Sequence, residues 1–471
     1  MTTSMPRSAG TADRIDHRTW QLCWVIVLGA FASGLDASIV NVGLASINHD
    51  LHASLSITQW VTSAYLLALA VSLPLAGWLA RQYGSGRIWL VSLAGFTVAS
   101  LACAVAPTVE LLIAARVVQG LAGGVLIPTG QTILGQRVGP ERLGRVMGTL
   151  GIAVSAAPAM GSLLGGLILH ALPWPWLFLV NVPIGTAGLL LGGRLVPRGA
   201  PAPAGTLHRS GLVLISVGLP ALVFAITRWG DSGALTTDTL VAAGLAVAAL
   251  TAFVTTSRAT DHPLLNLTLY QQPAFRAGSV TAFFSGGLVF GSGVVHALYF
   301  QLGRGQDPLR AGISILGVAG ATAAAAPLTG RWIDRHGPSR AALTGGLLAM
   351  TTTAPLTLLP LDTPMMVIQP LLIAYGAAVS LVAMPAGVTA YRAVTVTQLP
   401  DAITQINILQ RIGGSLGGAI CAVLIATRQS APSDGFRLAF LALLLSATGA
   451  TAGAWLIHRS TRSRGHVRRK G

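Results

Sequence analysis

Fourteen apolar runs, each close to twenty residues long, constrain this chain more than anything else in it. They lie at roughly 22–44, 57–79, 88–107, 109–132, 146–169, 173–195, 210–227, 238–257, 277–300, 311–330, 341–360, 364–390, 404–427 and 438–457. A helix needs about 20 apolar residues to cross the ~30 Å hydrocarbon core of a bilayer. Hydrocarbon offers the backbone no water to bond, so such runs fold as helices. The expected fold class is an all-α polytopic membrane protein with fourteen transmembrane helices. Composition removes the rivals. Of the 471 residues 52% are apolar and 9% charged, with a mean hydropathy of +0.68. A soluble domain carries about 25% charged residues. There is too little charge here for a soluble enzyme, a disordered chain or a coiled coil.

The formal net charge is +16. The basic residues are scattered in short clusters between apolar runs, with no aromatic-basic module, so no nucleic-acid partner is expected. Fourteen spans put both termini on one side. That side holds 23 of the 30 basic residues, the other side five, and Arg116 and Arg411 fall inside spans. Positive charge favours the cytoplasm, so both termini are expected there. The first run follows a polar tail of about twenty residues, is too long for a signal-peptide core, and lacks a small-residue cleavage site, so it is expected to be retained. Cys23, Cys103 and Cys421 are far apart and unpaired by any CxxC spacing, which indicates neither a metal nor a disulfide framework. The connections are short and carry no GxxxxGK[ST] loop. If the protein transports, a gradient must drive it, without a cofactor. A membrane enzyme would need clustered histidines or paired acids, and none is present.

The chain repeats itself. GWLARQYGSGR (Gly77–Arg87) follows span 2 and GRWIDRHGPSR (Gly330–Arg340) follows span 10. Such repeats mark transporters whose two halves rock around a central site. Setting spans 7 and 8 aside as an insertion leaves each repeat after the second span of a six-span half. The expected organisation is residues 1–195 as the first half with its N-terminal tail, 196–257 as linker and inserted helices, and 258–471 as the second half with a basic C-terminal tail.

Six further segments stand in order on successive spans: LDASIVNVGL (Leu35–Leu44), RVVQGLAGG (Arg116–Gly124), APAMGSLLGG (Ala157–Gly166), WPWLFLVNVPIG (Trp174–Gly185), YFQLGRGQDPLRAG (Tyr299–Gly312) and LQRIGGSLGGA (Leu409–Ala419). With them the chain resembles the major facilitator superfamily, in particular its fourteen-span drug/proton antiporter branch. The resemblance covers nearly the whole chain. It implies a multi-pass protein of the bacterial cytoplasmic membrane that exports small lipophilic drugs or antibiotics in exchange for protons. It also implies that Pro158, Gly161, Gly165 and Gly166 belong to an antiporter motif that seals against proton leak. The repeat loops imply a cytoplasmic gate built on Gly77, Gly84, Arg87, Asp334, Arg335 and Gly337. There are departures: Arg81 stands where the family usually has Asp, and the antiporter motif is only partly kept. A proton-independent facilitator or importer on the same fold therefore stays open as the alternative.

One acid, Asp36, lies inside an apolar span. Ionisable groups at that depth are costly and mark function by default. At 1.5 Å per residue Asp36 sits roughly 21 Å from the cytoplasmic face and Arg116 roughly 10 Å from the outer face, so in a ~30 Å core their depths nearly match. Desolvation helps a carboxyl keep its proton and a nearby guanidinium helps release it. A group pulled both ways suits proton coupling. Gln119 follows Arg116 at i+3 on the same face, and Asp36, Arg116 and Gln119 are the candidate proton-coupling residues. A fixed helix-helix hydrogen bond is the plainer reading of the same trio. Tyr65, Asn181, His296 and Arg411 are the candidate cavity-lining residues, although His296 near a span end also reads as interfacial and Arg411 can extend towards the cytoplasm. With a single cavity acid, a dication is not favoured, and a lipophilic monocation or a neutral or zwitterionic compound fits better. Protons, membrane lipids and a drug-like substrate are the expected partners of a monomer. The pairs Gly120/Gly124, Gly161/Gly165 and Gly413/Gly417 have the spacing that lets helices approach closely, and ordinary packing explains each.

Overall fold

The computed structural model describes residues 15–199, 201, 206–260, 263–428 and 431–467. They form helices α1 (His17–Asp50), α2 (Leu55–Thr58), α3 (Trp60–Ser72), α4 (Leu75–Tyr83), α5 (Ser85–Ala104), α6 (Val109–Val138), α7 (Leu143–Ala171), α8 (Trp176–Leu179), α9 (Asn181–Leu195), α10 (Arg209–Ser232), α11 (Thr237–Arg258), α12 (Pro273–Leu298), α13 (Pro308–His336), α14 (Pro338–Leu356), α15 (Met365–Arg392), α16 (Leu399–Ala426) and α17 (Pro432–Val467). No strand occurs among the described residues. Each expected apolar run is helical over most of its length.

Among the described residues, 11 helices are long and apolar enough to cross a membrane, or 12 with α3 and α4 taken as one span. Those two are bent by 54°. Pro74 stands at the break, where its missing N–H interrupts the helical ladder. The run expected at 57–79 is therefore a broken helix. Two of the fourteen expected runs, those in α7 and α14, are not in that set. In α14, Arg340, Gly345, Gly346 and Thr351 to Thr353 dilute the hydropathy.

Helices α1–α9 pack on one another, as do α12–α17, while α10 and α11 pair together and α10 bridges α3 and α16. The glycine pairs make the tightest seams. A Cβ on Gly124 would stand 2.5 Å from the Leu69 carbonyl oxygen, one on Gly161 2.9 Å from that of Leu35, and one on Gly417 2.6 Å from Gly287 Cα. The three pairs thus bring α6 against α3, α7 against α1 and α16 against α12. Contacts between the first and second groups concentrate where α7 meets α13 and where α16 meets α4 and α6.

Candidate functional site

Asp36 is placed midway along α1 and is fully buried. Arg116 and Gln119, one turn apart on α6, reach it together. Arg116 Nη1 donates to Asp36 Oδ2 at 2.5 Å and to Gln119 Oε1 at 2.7 Å. Gln119 Nε2 donates to Asp36 Oδ1 at 2.9 Å, and Asn181 Nδ2 to the same oxygen at 2.8 Å. Arg116 Nε donates to the Val61 carbonyl at 3.0 Å, and Gln119 Nε2 also meets Ser100 Oγ at 2.7 Å. The Cys103 thiol approaches Gln119 Oε1 at 3.5 Å. Tyr65 closes the cluster. Its ring lies 4.0 Å from Arg116 Cζ and its hydroxyl donates to the Ser33 carbonyl at 3.2 Å.

The physical logic is charge neutralisation away from water. A lone buried carboxylate is very costly, and a hydrogen-bonded guanidinium offsets that cost. The geometry brings Asp36, Arg116 and Gln119 together as the matched depths predict. Two buried atoms of the cluster, Arg116 Nη2 and Asn181 Oδ1, have no hydrogen-bond partner. The cluster therefore keeps a spare donor and a spare acceptor. Gly161 and Gly165 of α7 pack against Leu35 and Ile39, on either side of Asp36 in α1. Gly166 faces open space. Pro158 lies in α7 with its side chain outside the described residues.

Three of the four expected cavity residues are buried. Tyr65 and Asn181 are fully buried within the Asp36 cluster. Asn181, at the start of α9, donates its side-chain amide to Asp36. His296 is 2% exposed, with the rings of Tyr375 of α15 and Phe440 of α17 packed around it. Of the four candidates Arg411 alone is half-exposed.

The repeat loops build two corners at the end of the bundle where the arginine-rich loops lie. Gly330 abuts the Gly144 backbone at the start of α7, and Gly77 abuts Pro400 and Asp401 at the start of α16. Four residues on from these glycines stand Asp334 and Arg81. Asp334 accepts from the N–H groups of Gly144 at 3.0 Å and Arg145 at 3.1 Å, and pairs with Arg145 at 3.4 Å and Arg392 at 3.2 Å. Arg81 forms an ion pair with Asp401. The registers match, with Gly144 and Arg145 corresponding to Pro400 and Asp401. The second corner thus has the polarity of the first reversed. Pro400 has no N–H to offer an acid at position 81, and Asp401 in the first turn of α16 is favoured by the helix dipole. Arg81 is a matched inversion. Gly84 and Gly337 adopt φ of 89° and 87° at the starts of α5 and α14, a conformation glycine takes readily. Arg87 and Arg335 are exposed and make no ion pair among the described residues, so the pairing falls to Arg81, Arg145 and Arg392. Arg145, Arg392 and Asp401 sit at span ends and carry no signal of this in the sequence, whereas Arg81 stands out there as a departure from the family pattern. Ser100 gave only the signal of a hydroxyl in an apolar run.

The profile described as Major Facilitator Superfamily matches residues 26–418. The chain belongs to this superfamily. Among its superfamily relatives, the "Multidrug resistance protein B homolog" of Mycobacterium tuberculosis is 33% identical over 461 residues, covering 95% of this chain and 84% of the relative. The "Tetracenomycin C resistance and export protein" of Streptomyces glaucescens is 33% identical over 432 residues, covering 88% and 78%. The lincomycin resistance protein LmrB of Listeria monocytogenes is 26% identical over 407 residues, covering 86% of each. In fold, the chain is similar to a double tryptophan variant of XylE, with a TM-score of 0.69, 12% identity and coverage of 93% and 96%. It is also similar to the human organic anion transporter MFSD10, with a TM-score of 0.62, 17% identity and coverage of 92% and 99%. Family and fold are those of multi-pass membrane transporters, and the family expectation from the sequence motifs is met.

Proposed function

We propose that the protein is a proton-coupled antiporter of the bacterial cytoplasmic membrane that exports small lipophilic drugs or antibiotics by alternating access. The carrying observation is the fully buried Asp36–Arg116–Gln119–Asn181 cluster, in a chain similar to proteins named for drug resistance and export. Protonation of Asp36 removes its charge attraction for Arg116 and lets the cluster rearrange. Deprotonation restores the pair. Coupling needs only that substrate binding and protonation favour opposite conformations. No cofactor takes part, since the proton gradient supplies the energy.

In this reading α7 and α14 complete fourteen spans. Residues 1–195 and 258–471 are the rocking halves, and 196–257 contribute the linker and two inserted helices. The arginine-rich end faces the cytoplasm, as do both termini. The Arg81–Asp401 and Asp334–Arg145–Arg392 corners then form the inner gate. The α7 glycines that grip α1 around Asp36 support a sealing role for that motif.

The test uses proteoliposomes holding a pH-sensitive dye under an imposed proton gradient, with a panel of lipophilic compounds. Compound-dependent proton movement that vanishes in Asp36→Asn is the expected result. Flux without proton movement, or an Asn variant as active as wild type, would refute proton coupling at Asp36 and favour the facilitator alternative.

A further inference from the structure

Arg411 stands twelve residues into α16, roughly 18 Å from its start at 1.5 Å per residue. That depth is near the middle of a bilayer. Thr404, Asn407 and Arg411 share one face of α16 by their i, i+3, i+7 spacing. Thr404 abuts Gly77 of α4, and Asn407 Nδ2 donates to Gln131 Oε1 of α6 at 2.8 Å. Arg411 therefore continues the face that α16 turns towards the first group of helices. Its side chain is half-buried. It has no hydrogen-bond or ion-pair partner among the described residues, and its electrostatic neighbour is the Tyr65 hydroxyl.

The buried acids of the two bundles are committed elsewhere. Asp36 is enclosed by Arg116, Gln119 and Asn181 and reaches no solvent. Asp334 and Asp401 are held in the two corners. A guanidinium at this depth without a counter-charge is unfavourable unless it faces a polar cavity or a ligand that supplies one. Its planar fork matches a carboxylate or similar oxyanion in two parallel hydrogen bonds.

We infer that Arg411 is the substrate's counter-charge, and that the exported compounds are amphipathic anions carrying a carboxylate, sulfonate or acidic phenol on an apolar body. This rests on the export reading above and sharpens it, since the one acid expected to attract a cation is sealed off. Tyr65 links the two sites, with its ring on Arg116 and its hydroxyl within electrostatic reach of Arg411. The charge arithmetic follows. Exchanging one inward proton for one outward anion moves two positive charges inward, so an inside-negative potential accelerates it. Exchange with a monocation moves none.

The test uses the full-length protein in proteoliposomes and three probes: 8-anilinonaphthalene-1-sulfonate, its neutral counterpart N-phenyl-1-naphthylamine, and tetraphenylphosphonium. Wild type is expected to move protons with the sulfonate at least tenfold more efficiently than with the neutral compound, and faster at a valinomycin-set inside-negative potential. R411Q is expected to lose about tenfold or more for the sulfonate, in line with a charged hydrogen bond. R411K keeps the charge, retains part of that transport, and reports on the site should R411Q fail to fold. Sulfonate transport unchanged in R411Q overturns the inference. So does a wild type that exchanges protons for tetraphenylphosphonium or the neutral compound but not the sulfonate, and that outcome leaves export standing. A wild type that moves none of the three overturns the export reading and the inference with it.

Discussion

The reversed corner makes a demanding prediction. Arg81 and Asp401 are 19% and 6% exposed at their side chains, so water screens the pair only partly. A hydrogen bond between charged groups in such a site contributes about 1.5–3 kcal/mol. Arg81→Asp removes it and sets two carboxylates about 5 Å apart, a repulsion of about 3 kcal/mol at an effective dielectric of 20. The new side chain can turn into solvent and shed much of that repulsion. A net loss of about 2–3 kcal/mol remains, which disfavours the joined corner roughly 30- to 150-fold at 1.4 kcal/mol per decade. The reciprocal Asp401→Arg does the same with two cations. The double swap recovers most of the loss but not all, because the arginine then opposes the α16 dipole by about 0.3–1 kcal/mol and the acid faces Pro400, which has no N–H. The assay is a spin-label distance between cysteines introduced at exposed Arg87 and Arg340, one in each repeat loop. Cys23, Cys103 and Cys421 are buried and should stay unlabelled. Longer distances in each single variant and a return in the double variant are expected. Unchanged distances in the singles, or no recovery in the swap, would refute the latch.

Arg116→Lys is expected to keep the fold yet lower proton-coupled flux at least tenfold, because an ammonium cannot hold Asp36, Gln119 and the Val61 carbonyl at once; a dye-loaded vesicle assay measures it. Asp334→Ala leaves the N–H groups of Gly144 and Arg145 without their acceptor, and is expected to cost about 2–3 kcal/mol in denaturant titration, with Asp334→Asn costing less. Gly120→Ala would press a methyl against the Tyr65 carbonyl and to 2.9 Å from Ala68 Cβ, destabilising by about 1–3 kcal/mol. Gly166→Ala meets nothing within 4 Å and should stay within about 0.5 kcal/mol of wild type in the same titration.

The Asp36 cluster is legible in the sequence because it needs little geometry. One acid occurs inside a span, and two helices of known direction give matching depths for Asp36 and Arg116. Asn181 was harder, since its partner Asp36 lies 145 positions back, on α1. His296 read as interfacial because its depth alone was counted, and the helices that wrap it lie 79 and 144 positions further on, at Tyr375 and Phe440. Arg81 read as a departure for the same reason. Its partner is 320 positions away, and only the register of α4 against α16 shows the charges exchanged between matched places. The bend at Pro74 was present in the letters, but a continuous apolar run concealed it.

Among the described residues, every group hydrogen-bonded to Asp36, Arg116 or Gln119 comes from residues 36–181, all within the first bundle. The chemistry that would harvest the gradient is thus housed apart from α12–α17, where Arg411 lies. If Asp36 carries the proton, substitutions on the far bundle can reshape which compound is held while the groups hydrogen-bonded to Asp36 stay in place. Such a division lets specificity drift quickly over an unchanged engine, which suits a lineage of exporters facing a changing set of small molecules.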